Sequence, residues 1–349
     1  MWWRAFALLL LVAAPAAAQE ALPVHVGGRA VREADGSWRF GWPGVYFEAR
    51  FPGTGVSVAA APGADRLRLS VDGEERALLI GPGELSVHVG GLDSGEHVVR
   101  LDKVTESQEG SARFLGFAVD AGGAALEPPA RRRAIEFIGD SYTVGYGNTA
   151  HDRACTRQEV HDTTDTGQAF GPLVARRLDA DYRIVAYSGF GVVRNYDGGA
   201  PDRSLPIIYP RAIPGEPAPF DFARDDWRPQ LIVIGLGTND FSTPLHAGER
   251  WADDAALKAD WRARYVAFVR DLMRRQPQAR FILLGSDLFF PELERVAAEL
   301  NRDAPRPVLT FHIGELARTG CDYHPDLADH RRTAEALVAA IARIEGLWE

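Results

Sequence analysis

The chain has 349 residues, of which 46% are hydrophobic and 25% charged, a globular composition with room for two domains. Its formal net charge is −9, and its acidic groups are scattered without any stripe of Lys and Arg. Phosphate binding needs clustered cations, so the balance excludes nucleic acid as a partner.

The chain opens with MWWRAFALLLLVAAPAAAQE: one arginine, an apolar run, then Ala16-Ala17-Ala18. These are the parts of a secretory signal peptide, expected over residues 1–18. The uninterrupted apolar stretch, Ala5 to Ala14, falls short of the ~20 residues a membrane span needs. The mature chain is therefore expected to be exported, secreted or periplasmic, with no membrane span. Loss of the single charge in the leader, that of Arg4, takes the net charge from −9 to −10. Export places Cys155 and Cys321 in an oxidising compartment, where a disulfide is permitted. Two thiols cannot close a zinc site alone, and no C-x-x-C is present. A bridge and two separate buried thiols both stand as readings.

Residues 20–128 read as β structure. The segments 37–53, 55–62, 66–75, 76–83, 84–92, 95–106 and 112–122 are short, alternate with period two, and end at Gly, Pro or Asp-Gly. This spacing predicts an antiparallel β-sandwich of jelly-roll type. Residues 122–133, GGAALEPPARRR, read as a connector stiffened by Pro128-Pro129. Arg131-Arg132-Arg133 reads as its solvated boundary.

From residue 132 to 349 the rhythm changes. Buried strands are expected at 134–140, 183–189, 231–240, 280–286 and 308–314, with helices over 167–180, 257–277, 291–304 and 325–347. Strands alternating with helices predict a three-layer α/β domain, flavodoxin-like, with a parallel sheet covered on both faces. Ligands of such sheets bind outside the carboxyl ends of the strands. Ser141, Gly189 and Asn239 each follow a strand at once and fall on that edge.

Acyl transfer needs a nucleophile, a base and donors for an oxyanion. Ser141 stands between a strand and a helical turn, as a nucleophile or as a helix cap. Gly189, in YSGFG, can bring a backbone N–H close to a substrate, or simply end a strand. Asn239, in GLGTND, can donate its side-chain amide, or make an Asx turn. His324, in CDYHP, sits between a loop and a helix, with Asp322 placed to orient its ring; a surface histidine is the plainer alternative.

In this order and on this strand pattern, Gly139-Asp140-Ser141, Ser188-Gly189, Gly237-Thr238-Asn239-Asp240 and Asp322-Tyr323-His324-Pro325 resemble the four blocks of the SGNH (GDSL-like) hydrolases over residues 134–349. FIGDSYTVGYGN, YSGFGVVRNYDG, WRPQLIVIGLGTNDF and DYHPDLADH are similar to carbohydrate esterase family 2, which also carries an N-terminal jelly roll. The family usually has Thr-Cys-Gly where this chain has Thr143-Val144-Gly145. The resemblance implies an exported serine esterase that removes O-acetyl groups from polysaccharides such as xylan and glucomannan. It implies Ser141 as nucleophile, His324 as base, and an oxyanion hole from the N–H groups of Ser141 and Gly189 and the amide of Asn239. It implies no metal and no organic cofactor. Most of the superfamily spaces the acid three residues before the histidine, a position held here by Cys321. Asp322 lies one residue closer, so a triad through Asp322 and a Ser–His dyad held by a backbone carbonyl both stay open.

Candidates for sugar contact are Tyr196, Asp140, Trp227, Trp251 and the segment 204–214, with burial in the core as the alternative for the aromatic ones. His151, His161 and Asp162 fit no recognised metal spacing, and His330 reads as a structural contact. Two other functions compete: an SGNH esterase for peptidoglycan O-acetyl, thioester or lipid substrates, and a non-catalytic carbohydrate-binding protein.

Overall fold

Period-two alternation before residue 120 is carried by β1 (Glu20–Ala21), β2 (His25–Gly27), β3 (Ala30–Arg32), β4 (Trp38–Phe40), β5 (Tyr46–Pro52), β6 (Gly55–Ala61), β7 (Arg66–Val71), β8 (Glu74–Ile80), β9 (Leu85–Gly90), β10 (Glu96–Lys103) and β11 (Ala112–Val119). The structure, a computed structural model, describes residues 20–120 and 124–349. The expected leader and the first residues of the connector lie outside them. The strands form two antiparallel sheets, β3-β4-β11-β6-β9 with β1 beside β11, and β2-β5-β10-β7-β8. The chain changes sheet at every connection except β3–β4 and β7–β8. The latter hairpin turns at Asp72 and Gly73, both at positive φ (54° and 81°), the turn whose twist matches its strands. The residues that alternate inward meet between the sheets: Phe47 stacks on Phe114 at 4.3 Å, and Phe40 and Phe117 pack beside them.

The second half builds one parallel sheet from β12 (Arg133–Gly139), β13 (Ala180–Ala186), β14 (Leu231–Gly235), β15 (Arg280–Gly285) and β16 (Val308–His312), in the order β13-β12-β14-β15-β16. Its helices are α1 (Ser141–Val144), α2 (Arg157–Thr163), α3 (Phe170–Arg177), α4 (Leu205–Ile208), α5 (Thr238–Phe241), α6 (Asp254–Arg275), α7 (Phe290–Leu300) and α8 (Leu327–Ile341). Phe170 and Val174 of α3 and Leu337 of α8 cover one face with Phe137 and Ile135. Trp261 of α6 and Leu293 of α7 cover the other with Ile232 and Ile234. The strand order reverses at β12, the switch point where such sheets form ligand crevices. Ser141 leaves from that strand.

β13 begins three residues before its expected start. Its first residues look too polar for a buried strand, but the β-sandwich satisfies them. Asp181 takes His25 at 2.7 Å and the Tyr46 hydroxyl, and the Tyr182 hydroxyl takes Arg100 at 2.9 Å. The same junction buries Arg29, 1% exposed, against Glu136 of β12 at 3.3 Å, beneath the ring of Tyr209 at 4.4 Å. The Tyr209 hydroxyl donates to the same carboxylate at 3.1 Å. Removing one partner of such a pair strands a buried charge, which costs about 3–5 kcal/mol. Urea unfolding should show a loss of that size in Arg29→Ala. Most of it should return in the double variant Arg29→Met, Glu136→Gln; a double variant no more stable than the single one would contradict this account of the junction.

Candidate active site

β12 is buried from Ile135 onward, and its exit is forced. A Cβ on Gly139 would sit 2.0 Å from Thr143 Oγ1, so only glycine lets α1 fold back against the strand end. Asp140 caps α1, its carboxylate accepting the Tyr142 N–H at 3.1 Å. The capping role considered for Ser141 thus belongs to its neighbour. Ser141 is the first helical residue, and its Oγ lies 2.9 Å from His324 Nε2. Its own N–H has no partner among the described residues.

The imidazole is held by main chain. His324 Nδ1–H donates to the carbonyl oxygen of Cys321 at 3.0 Å, which leaves the Nε2 lone pair facing the serine hydroxyl. The Asp322 carboxylate makes no hydrogen bond to the ring. Asp322 and Tyr323 both have positive φ (50° and 60°), and the Asp322 carboxylate is turned to the Tyr146 hydroxyl at 3.0 Å. Of the two arrangements left open, a triad through Asp322 and a pair held by a backbone carbonyl, this geometry has the second, and the candidate role of the Asp322 carboxylate is corrected: the left-handed turn aims that side chain elsewhere. Tyr146 lies against the imidazole at 4.4 Å and Tyr142 meets it edge-on at 5.7 Å. Burial pushes His324 below the usual imidazole range, while the Cys321 carbonyl and the charge of Asp322 pull the other way. Cys321 is fully buried and joined to Cys155 by a disulfide, which ties the histidine loop to the insert after α1. Asp329 of α8 accepts the N–H groups of Ala317 and Arg318 at 3.0 and 2.8 Å and anchors the loop's other arm.

Gly189 follows β13 at φ 83°, a conformation open to glycine, and its N–H has no partner among the described residues. Asn239, on α5, donates Nδ2 to the Phe190 carbonyl at 2.9 Å and makes a long 3.3 Å contact with Asp140 Oδ2. Asp240 beside it is fully buried and accepts the N–H groups of Val192, Val193 and Arg194, which wraps the loop after β13 around its carboxylate. A Cβ on Gly191 would fall 2.4 Å from that carboxylate. Burial pushes Asp240 up to about 6, against the pull of the three N–H groups. Burial, opposed by the Tyr142 N–H and reinforced by the charge of Asp240, pushes Asp140 up to about 7.

The remaining candidates separate cleanly. Tyr196 is 58% exposed beyond Gly189, to whose carbonyl its N–H donates at 2.8 Å. Trp227 precedes β14, at the amino end of the sheet, and lies under Arg183 at 4.6 Å. Its expected sugar contact is corrected, because it stands on the edge opposite Ser141. Asp140 is corrected likewise: at 1% exposure, its carboxylate serves Tyr142 and Asn239. Trp251 donates Nε1 to Asp260 at 2.9 Å. In the segment 204–214, Leu205, Ile208, Tyr209 and Ile213 are core. Asp162 pairs with Arg66 of the sandwich, and His161 lies 3.4 Å from Asp162. His330 is buried, accepts the Phe170 N–H at 3.2 Å, and is pushed down to about 4 by burial, hence neutral. Sequence reasoning assigned no role to Asp240 and did not single out the Cys321 carbonyl. The first could be read from the Asn-Asp pair; a carbonyl has no signature in sequence.

Residues 26–129 match the family described as Carbohydrate esterase 2 N-terminal, and residues 137–345 the GDSL-like Lipase/Acylhydrolase family. An acetylxylan esterase / glucomannan deacetylase of Cellvibrio japonicus is 42% identical over 335 residues, 94% of this chain and 92% of that protein. A solved carbohydrate esterase, described as having an active site with divergent catalytic and non-catalytic binding functions, matches at TM-score 0.89 and 41% identity over 95% of this chain and 100% of that one. A family two carbohydrate esterase from Clostridium thermocellum in complex with cellohexaose matches at TM-score 0.81 and 29% identity, over 93% of this chain and 100% of that one. With a serine–imidazole pair at the switch point of its sheet and these relatives over nearly its whole length, the chain belongs to carbohydrate esterase family 2, its C-terminal half being a GDSL-like acylhydrolase domain.

Proposed function

We propose that this chain is an exported serine esterase that removes O-acetyl groups from xylan- and glucomannan-type polysaccharides through an acetyl-serine intermediate. The observation that carries the reading is the 2.9 Å contact between Ser141 Oγ and His324 Nε2, with Nδ1 pinned on the Cys321 carbonyl. The substrate class rests on the activity named for the Cellvibrio relative. Export rests on the pattern of residues 1–18.

His324 takes the Ser141 proton as Oγ attacks the acetyl carbonyl. The negative charge that forms on the carbonyl oxygen meets the N–H groups of Ser141 and Gly189 and the Asn239 amide. His324 returns the proton to the leaving sugar oxygen, the C–O bond breaks, and the acetyl group stays on Ser141. Water, deprotonated by the same imidazole, then releases acetate and restores the hydroxyl. Tyr196, exposed just beyond Gly189, offers a ring on which a sugar could lie.

Acetate release from acetylated xylan, acetylated glucomannan and acetylated peptidoglycan, compared side by side, tests the substrate class. The two plant polymers should be deacetylated, and Ser141→Ala should lower kcat by about 10⁶-fold. Release from peptidoglycan alone would overturn the assignment.

Because a carbonyl holds the ring, Asp322→Asn should keep kcat within about tenfold of wild type, where loss of a true triad acid costs about 10⁴-fold. A loss of the larger size would mean that Asp322 reaches the imidazole during turnover.

A protonated imidazole cannot accept the serine proton, and the folded-state pKa of His324 is lowered. The acid limb of kcat/KM should therefore be centred below the ordinary imidazole value of 6.5, with activity lost as pH falls through it. The limb should keep its midpoint in Asp140→Asn, which removes the carboxyl pushed up to about 7. A limb that disappears or moves to lower pH in that variant would assign it to Asp140 and count against His324 as the base.

A further inference from the structure

The main chain of Ser188 is bonded by the other domain. Ser188 N–H donates to Glu106 Oε1 at 2.8 Å, and Gln108 Nε2 donates to the Ser188 carbonyl oxygen at 3.0 Å. Both side chains come from the sandwich loop after β10, and Gln108 holds a left-handed backbone (φ 51°). That loop is itself tied down. Asp65, 1% exposed, pairs with the buried Lys103 and accepts the hydroxyls of Thr105 and Ser107, each at 3.0 Å. The Thr166 N–H bonds the Val104 carbonyl at 2.9 Å and fastens the loop to the catalytic domain.

The Ser188 carbonyl and the Gly189 N–H belong to one peptide unit. The unit is planar and trans, so the two bonds point in opposite directions; no cis peptide occurs among the described residues. Whatever holds the Ser188 oxygen therefore aims the Gly189 N–H. Glycine at 189 brings no side chain to restrain that plane, and the N–H finds no acceptor among the described residues. The turn around this peptide is closed by the Phe190 N–H on the Tyr187 carbonyl at 3.2 Å, and the Gly189 carbonyl takes the Tyr196 N–H at 2.8 Å; the central peptide itself is bonded by Gln108, and the residue before it by Glu106.

We propose that Gln108 and Glu106 of the β-sandwich are positioning residues of the oxyanion hole, which set the Ser188–Gly189 peptide plane so that the Gly189 N–H meets the developing oxyanion. The proposal rests on the reading of Gly189 as an oxyanion donor. It makes the N-terminal domain part of the catalytic machinery rather than an appended module. Because the two bonds act on a donor and touch no substrate, their loss should fall on transition-state stabilisation.

Gln108→Met keeps the length of the side chain and removes its donor; Gln108→Lys restores a donor. In the Met variant kcat on 4-nitrophenyl acetate should fall by ~10–100-fold, less than the ~10²–10³-fold of deleting a donor outright. KM and the thermal unfolding temperature should stay at wild-type values. The rate at which a neutral 4-nitrophenyl phosphonate modifies Ser141 should fall by the same factor as kcat, since its tetrahedral adduct uses the same hole. The Lys variant should recover part of both rates. A Met variant with both rates within about twofold of wild type would overturn the proposal, as would a loss that tracks a fall in unfolding temperature and is not recovered by Lys. A wild-type protein that reacts with the phosphonate but releases no acetate would instead sink the acetyl reading, while the ratio of variant to wild-type phosphonylation would still decide the role of Gln108.

Discussion

The hydrogen bond from His324 Nδ1 to the Cys321 carbonyl is the constraint on which the site depends. Imidazole has two nitrogens, and only a ring whose Nδ1 carries the proton presents a lone pair to Ser141. A carboxylate in that place would add a charge to stabilise the imidazolium. A carbonyl adds a dipole and a fixed direction. The chain places this carbonyl with some care: Cys321 is buried, its sulfur is tied to Cys155, and its N–H bonds the Gly147 carbonyl at 3.3 Å. A Cβ on Gly147 would stand 2.4 Å from the Cys321 Cβ, so the turn after Ser141 and the turn before His324 are packed against each other. The distance between Ser141 and His324 is thereby set by backbone packing, and the rotamer of an acidic side chain has no part in it.

The same economy governs the other side of the site. Asp140 and Asp240 are buried carboxylates next to the reacting groups, and each is spent on backbone or amide N–H groups. Burial raises both, and the N–H groups they accept oppose the rise. Their effect is to hold the loops after β12 and β13 in shape, so that donors arrive already oriented and need not reorganise as charge develops.

The two domains form one working unit. Arg29 crosses into the core of the catalytic half, His25 and Tyr46 complete the edge strand β13, and Glu106 and Gln108 reach the turn at its end. β13 is thus bonded to the sandwich at its first residues and again at Ser188, just beyond its end. This dependence explains why a strand with Asp181 and Tyr182 at its start can be buried along its length, while Arg183 is paired within its own domain, with Asp225 at 2.6 Å.

The sequence by itself determined both architectures and the order of the site. Side-chain periodicity of two in the first half and strand–helix alternation in the second follow from which faces must avoid water, and each residue reports its own preference. It also determined which strand ends carry Ser141, Gly189 and Asn239, since a small polar residue directly after a buried apolar strand stands out locally. Only the tertiary structure decided what holds His324, which way Asp322 points, that Trp227 lies on the far edge, and that the sandwich grips the Ser188 main chain. Those outcomes turn on backbone carbonyls, on left-handed dihedrals at Asp322 and Gln108, and on contacts between segments some eighty or more residues apart. A carbonyl is the same in every residue, so its use leaves no trace in the identity of the amino acid that carries it.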